Sequence, residues 1–273
     1  MKKEINFNWL KNQAKNAKSK HVIEQTEKDH NIVFKKGEVI KGKELSEVIL
    51  GKYKIWLRRN SSPSSIEIYY EIFKDKDHTT VRGFSGKGNK VVIDTGANEG
   101  FYTLKIKEDN PNCKVIAIEA NPAAFLILKK NVKSNKLRDV ILVNKALGKN
   151  NENICFEYVD EITAIGSKSL RNQKRPWLNE RRIKQKLVKS IDLPHLCKSH
   201  QIKEVDILKI DVEGMEMEIL KNSKSVLGNV KKIVVEWHSK KLRDDIKHFL
   251  KSQGFKLILE EKRNFGNLYF IKK

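Results

Sequence analysis

The 273-residue chain has no apolar run approaching the ~18 residues a membrane span needs, and its first twenty residues lack the apolar stretch of a signal peptide. A cytoplasmic protein without a membrane span is therefore expected. Only three cysteines occur, Cys113, Cys155 and Cys197. They are odd in number and far apart, with neither a CxxC pair nor zinc-ligand spacing, which predicts reduced, mostly buried thiols and no metal. No repeat period survives self-comparison, which excludes collagen-like, coiled-coil and solenoid arrays. Acidic residues are the minority charge: 34 Asp and Glu face 56 Lys and Arg, a formal balance of +22. A core can still form, since 39% of residues are hydrophobic and 8% aromatic.

The basic excess has two readings. Compositional bias inflates Lys alongside Asn and Ile but leaves Arg alone, so arginines are the better witnesses. Arg171, Arg175, Arg181 and Arg182 lie within twelve residues and, with Trp177, form a candidate substrate-binding stretch.

Two regions are expected, 1–89 and 90–273. The first twenty residues read as a short amphipathic helix or a frayed basic arm, with Phe7, Leu10 and Ala14 at helical spacing. Residues 38–73 hold two β-leaning runs, EVILGKYKIWLRR and SSIEIYYEIF, around the turn-forming NSSPSS. From residue 90, apolar strands alternate with helices, and FKLILEE and NLYFIKK close the chain as a hairpin. That pattern predicts an α/β protein whose mostly parallel sheet is covered on both faces. The interval 149–204 is too long for an ordinary connection and is read as a basic insertion carrying specificity.

The segment Asp94-Thr95-Gly96-Ala97-Asn98-Glu99-Gly100 is the most informative. A strand ending in an acidic residue and turning through two glycines brings backbone close to a ligand at a helix N-terminus. Glu119 ends the next strand, where a carboxylate can accept both hydroxyls of a ribose. No GKS/T lysine is present, and Asp94 would repel phosphate. An ammonium group beside a ribose fits better, as in S-adenosylmethionine; a NAD-type ligand and a purely structural turn are the other readings.

Four blocks, VVIDTGANEGFYTL (91–104), VIAIEANPAAF (115–125), VNKALG (143–148) and VDILKIDVEGMEMEIL (205–220), together resemble the FkbM family of S-adenosylmethionine-dependent methyltransferases. Residues 54–73 are similar to that family's lead-in strand and helix. The resemblance implies a class I, Rossmann-like methyltransferase fold with a seven-stranded sheet whose last strands are antiparallel. Carried over by position, Asp94, Gly96, Asn98 and Gly100 form the cofactor turn, Glu119 holds the ribose, and Ala120 and Asn121 adjoin the adenine. Asn144, Lys145 and Ala146 edge the adenine from its other side.

Methyl transfer is an in-line displacement, so the protein aligns the nucleophile and manages its proton. Candidates sit at the tips of the fourth and fifth strands: Asp211 and Glu213, then Glu236 and His238 with an i, i+2 spacing that points both to one face. Asp211 is the first choice, its alternative being to cap the helix that follows. Gly214 would allow backbone to approach the ligand.

Glu236 stands where FtsJ-type 2′-O-methyltransferases want lysine, and DVEG replaces the (D/N)PP(Y/F) block of exocyclic-amine methylases. Hydroxyl methylation of a sugar, glycan or small molecule leads by elimination. RNA gripped by the basic insertion is the alternative, and a non-catalytic binding module is the third.

Overall fold

The computed structural model describes residues 5–36, 38–160, 162–168, 170–171, 180–261 and 266–273. The basic leader forms α1 (Phe7–Gln13), capped by Asn6, whose side chain accepts the Trp9 N–H, and it buries Phe7 and Leu10. The longer α2 (Ala17–Lys36) follows. The run EVILGKYKIWLRR is itself a hairpin, β1 (Leu45–Leu50) and β2 (Tyr53–Arg58), turning at Gly51.

The second β-leaning run is corrected. SSIEIYYEIF forms α3 (Ser62–Phe73), with Pro63 in its first turn, where a missing N–H costs nothing. Its β-branched and aromatic residues fit a half-buried surface of either kind. Ile66, Tyr69 and Tyr70 are all buried and share a helical face, and packing decides the outcome.

The alternating region then runs through β3 (Val91–Thr95), α4 (Phe101–Asp109), β4 (Lys114–Ile118), α5 (Pro122–Ser134) and β5 (Val140–Val143). A two-residue strand, β6 (Ala146–Leu147), leads into the insertion strands β7 (Asn153–Val159), β8 (Ile162–Ser167) and β9 (Lys184–Ile191). After α6 (Leu193–Ser199) come β10 (Val205–Ile210), α7 (Glu216–Asn222), β11 (Val230–Trp237), α8 (Lys240–Ser252), β12 (Phe255–Glu260) and β13 (Gly266–Lys272).

Seven strands make the main sheet in the order β12-β13-β11-β10-β3-β4-β5. The closing hairpin is present, and β13 alone runs against the other six, antiparallel to both β11 and β12. The order in which the strands are laid down reverses between the parallel neighbours β3 and β10, which leaves a crevice at their carboxyl ends. The insertion strands build a second sheet, β6-β9-β7-β8.

Alternate residues of the buried strands serve two cores. Val92, Val115, Ile207 and Val234 pack with Leu10, Ile23, Ile55 and Ile66, so the first 73 residues help cover one face. Ile93, Ile116, Leu208 and Ile233 pack with Ile219 and Ile246 on the other. Among the described residues, no helix is long and apolar enough to cross a membrane.

Candidate active site

The turn after β3 passes through positive φ at Gly96 (+72°), Asn98 (+47°) and Gly100 (+88°). A Cβ added to Gly96 would lie 1.7 Å from the Asp211 carbonyl oxygen, so this glycine admits the chain just beyond β10. The Gly96 and Ala97 N–H groups both donate to the Ile118 carbonyl at 3.0 Å, tying the turn to the tip of β4. There Glu119 accepts the Asn98 N–H on Oε2 and the Asn121 N–H on Oε1, each at 2.7 Å. Burial pushes its carboxyl up to about 7, outweighing those two donors. Asn144 holds the tip from behind, donating to the Glu119 carbonyl at 2.8 Å, while Ala120, Lys145 and Ala146 line the adjoining cleft.

Asp94 departs from expectation. It is fully buried, with Oδ2 accepting the Thr103 hydroxyl at 2.8 Å and Oδ1 3.3 Å from the Lys209 ammonium. A ligand ammonium therefore meets Lys209 before it meets Asp94. Lys209 also stands 3.3 Å from Asp211 Oδ2 and donates to the Gly96 carbonyl at 3.0 Å. Burial lowers its pKa, but Asp94 and Asp211 more than reverse this, so it stays charged. Sequence reasoning passed over Lys209, although a lysine inside the apolar run ILKI was the available signal.

Asp211 and Glu236 are brought together at the crevice, with His78 as an unforeseen third member: one ligand atom from each lies within 4.8 Å of the others. Asp211 does not cap α7, whose N-cap position is held by Met215 without a side-chain hydrogen bond. Burial raises its carboxyl, yet Lys209 and His78 hold it well below the usual range. Glu236 goes the other way, pushed well up by burial and by the charge of Asp211.

Glu213 and His238 do a different job. His238 Nδ1 lies 2.9 Å from Glu216 Oε1 and Nε2 lies 3.4 Å from Glu213 Oε2. Burial disfavours its charge, but the two carboxylates raise its pKa well above the imidazole range. Both ring nitrogens of His238 thus face carboxylates of the chain itself. Gly214 adopts φ +99°, and its N–H donates to Glu216 Oε1 at 3.0 Å.

Of the basic stretch, Arg175 and Trp177 and the side chain of Arg181 lie outside the described residues. Arg171 is committed to Glu157, through its backbone N–H at 2.9 Å and its Nε at 3.2 Å. Lys168 pairs with Glu218 and Lys184 with Asp160. Arg182 lines the cleft.

A buried carboxylate absent from the expected set, Glu99, accepts the Ser65 and Thr163 hydroxyls at 2.8 and 3.1 Å, joining α3 and β8 to the turn. One cleft of about 1630 Å³ contains Gly96, Glu119, Lys145, Asp211, Glu236 and His238 in its wall. Ligand pockets usually run to ~300–1,000 Å³, so this one has room for a nucleoside-sized cofactor and a second molecule.

The seven-stranded order with its antiparallel closing hairpin, and a crevice at the strand-order reversal, define a class I methyltransferase fold. The family model of the methyltransferase FkbM domain matches residues 94–257; the chain belongs to that family and is a methyltransferase. It is 26% identical over 212 residues to methyltransferase sdnD of Sordaria araneosa, covering 69% of this chain and 81% of that one. It is 27% identical over 149 residues to the hexuronic acid methyltransferase AglP of Haloferax volcanii, covering 55% and 56%. Methanocaldococcus jannaschii TYW2 in complex with AdoMet superposes with a TM-score of 0.45 at 16% identity, over 86% of this chain and 90% of that one.

Proposed function

We propose that the chain transfers a methyl group from S-adenosylmethionine to a hydroxyl of a sugar, glycan or other small molecule. One observation carries this reading: the Glu119 turn and the Asp211–Glu236 pair open into the same cleft. The residues present suit the cofactor. Glu119 is pre-positioned by two backbone donors and retains lone pairs for ribose hydroxyls. Asn98 Oδ1 and Asn121 Nδ2, an acceptor and a donor beside it, are buried without a hydrogen-bond partner among the described residues. Such groups are costly unless a ligand satisfies them.

When bound, S-adenosylmethionine supplies an electrophilic methyl. This chain's residues do the rest. Asp211, kept ionised by Lys209, accepts the acceptor's O–H hydrogen bond and aims its lone pair. The hydroxyl becomes strongly acidic as its oxygen gains the methyl, so even a carboxylate held low can take the proton.

The acceptor class follows from the wall charge. Despite the +22 balance of the chain, Asp and Glu outnumber Lys and Arg eleven to four along the cleft among the described residues. A polyanion is repelled there, which favours a hydroxyl-bearing small molecule or glycan over RNA. Methyl-label transfer to fractionated RNA, glycan and lipid pools tests this; label appearing only in RNA would overturn it. In parallel, the salt dependence of bulk tRNA binding should have a slope near zero. A steep slope that flattens by about three units in an R175Q/R181Q/R182Q variant would instead assign the basic stretch to phosphates.

Two expectations concern Glu119. Glu119→Ala should weaken S-adenosylmethionine by about 1–3 kcal/mol, the range for leaving buried polar groups unpaired, and calorimetry at wild-type affinity would remove Glu119 from the site. The second is pH dependence. The ribose hydroxyls bind the ionised carboxylate, whose pKa in the free protein is about 7. Affinity should therefore rise with pH through that value, by about tenfold between pH 6 and pH 8, and Glu119→Gln should abolish the rise. The linked effect on folding has the opposite sense: between the ordinary carboxylate range and about 7 the folded state holds the extra proton, so stability of the free protein declines as pH increases.

A further inference from the structure

The geometry points to a divalent-cation site at the crevice, formed by His78, Asp211 and Glu236 and suited to a first-row ion such as Mn²⁺ or Zn²⁺. The three residues come from the segment before the sheet and from the tips of β10 and β11, so no local motif announces them. Their ligand atoms lie within 4.8 Å of one another, whereas neighbouring ligands on bonds of ~2.1 Å are ~3.0–3.4 Å apart, so binding an ion draws the three side chains together by about an ångström or more.

The imidazole carries the argument. His78 is 4% exposed, and its Nδ1 lies 2.8 Å from Asn267 Oδ1. The amide orientation of Asn267 is set in turn, because its Nδ2 donates to Asp77 at 2.6 Å. Asn267 Oδ1 can only accept, so His78 Nδ1 carries the hydrogen and Nε2 is the atom turned to the cluster. That atom stands 3.7 Å from Asp211 Oδ2, beyond hydrogen-bond range. A histidine with one nitrogen anchored to an amide or carboxylate and the other turned to carboxylates is the usual arrangement of a metal ligand with its outer support.

Asp211 and Glu236 bring two carboxyl groups to the crevice, and the Lys209 ammonium, 3.3 Å from both Asp94 and Asp211, lies beside them. Glu236 faces the cleft beside Asp211. One imidazole with two carboxylates is a donor set for Mn²⁺, Fe²⁺ or Zn²⁺ and a poor one for thiophilic ions. The role of the ion rests on the methyltransferase reading: at this place it would lower the pKa of a hydroxyl oxygen that reached it.

The test titrates Mn²⁺ alone into chelator-stripped protein, with bound ion followed by electron paramagnetic resonance. One saturable site is expected, displaced by Zn²⁺. Glu236→Gln, which keeps the side-chain size, and His78→Ala should each weaken it at least about tenfold, and Asn267→Ala should do so by a smaller factor. Absence of saturable binding up to millimolar Mn²⁺, or unchanged affinity in a Glu236→Gln protein that unfolds at the wild-type temperature, overturns the site. Calorimetry of S-adenosylmethionine on the same metal-free samples keeps the two readings apart, since cofactor binding without Mn²⁺ binding rejects the ion and leaves the methyltransferase cleft standing.

Discussion

Asp211→Asn should lower methyl-transfer turnover by ~10²–10⁴-fold, the range for losing a positioned proton acceptor, while S-adenosylmethionine affinity stays close to wild type. The substitution keeps the side chain's size and removes its charge. Its surroundings sharpen the expectation: Asp211 lies 3.3 Å from Lys209 and 3.7 Å from His78, and nothing in α7 depends on it as a cap. Stability should move less than activity, because Lys209 keeps Asp94 and the Gly96 carbonyl. Single-turnover kinetics with the acceptor, alongside calorimetry of the cofactor, separate the two effects. An unchanged chemical step would shift the role to Glu236, the other carboxyl at the crevice.

Gly96→Val should produce the largest loss of stability, about 3–5 kcal/mol, from the combined cost of left-handed backbone strain and overpacking. Gly96 sits at φ +72°, which β-branched residues avoid, and its missing Cβ is what lets the Asp211 carbonyl approach. Denaturant unfolding should show the loss in the free protein, before any cofactor is added. A variant that folds normally and fails only in cofactor binding would mean that the turn is shaped by its ligand and not by the neighbouring strand.

These two expectations show how differently parts of the site could be read. That Glu119 and the Asn98 turn lie side by side was legible, because a carboxylate one strand beyond a Gly-rich turn is a local pattern with a fixed spacing. Asp211 and Glu236 were legible as strand tips. Asp94 was placed on the correct strand and given the wrong neighbour: a ligand ammonium was expected where the chain supplies Lys209, brought in by the parallel pairing of β10 with β3. His238 has the right address but sits between Glu213 and Glu216, a charge environment no spacing rule describes. His78 and Asn267 carried no signal at all; they meet at 2.8 Å across 189 positions of sequence.

The amino-acid sequence by itself determined the strand–helix alternation from residue 90, the turn, the closing hairpin and the family, since each rests on periodicity or on residues adjacent in the chain. Tertiary structure decided the rest. SSIEIYYEIF has a composition acceptable to a strand, and it became α3 because a helix alone buries Ile66, Tyr69 and Tyr70 on one side. Whether an aspartate faces a ligand or a lysine, and whether a histidine is a base or a clamped cation, depends on which side chains other segments bring within about 4 Å. That is set by strand order and burial, because electrostatic interactions of this strength act over a few ångströms and take no account of distance along the chain.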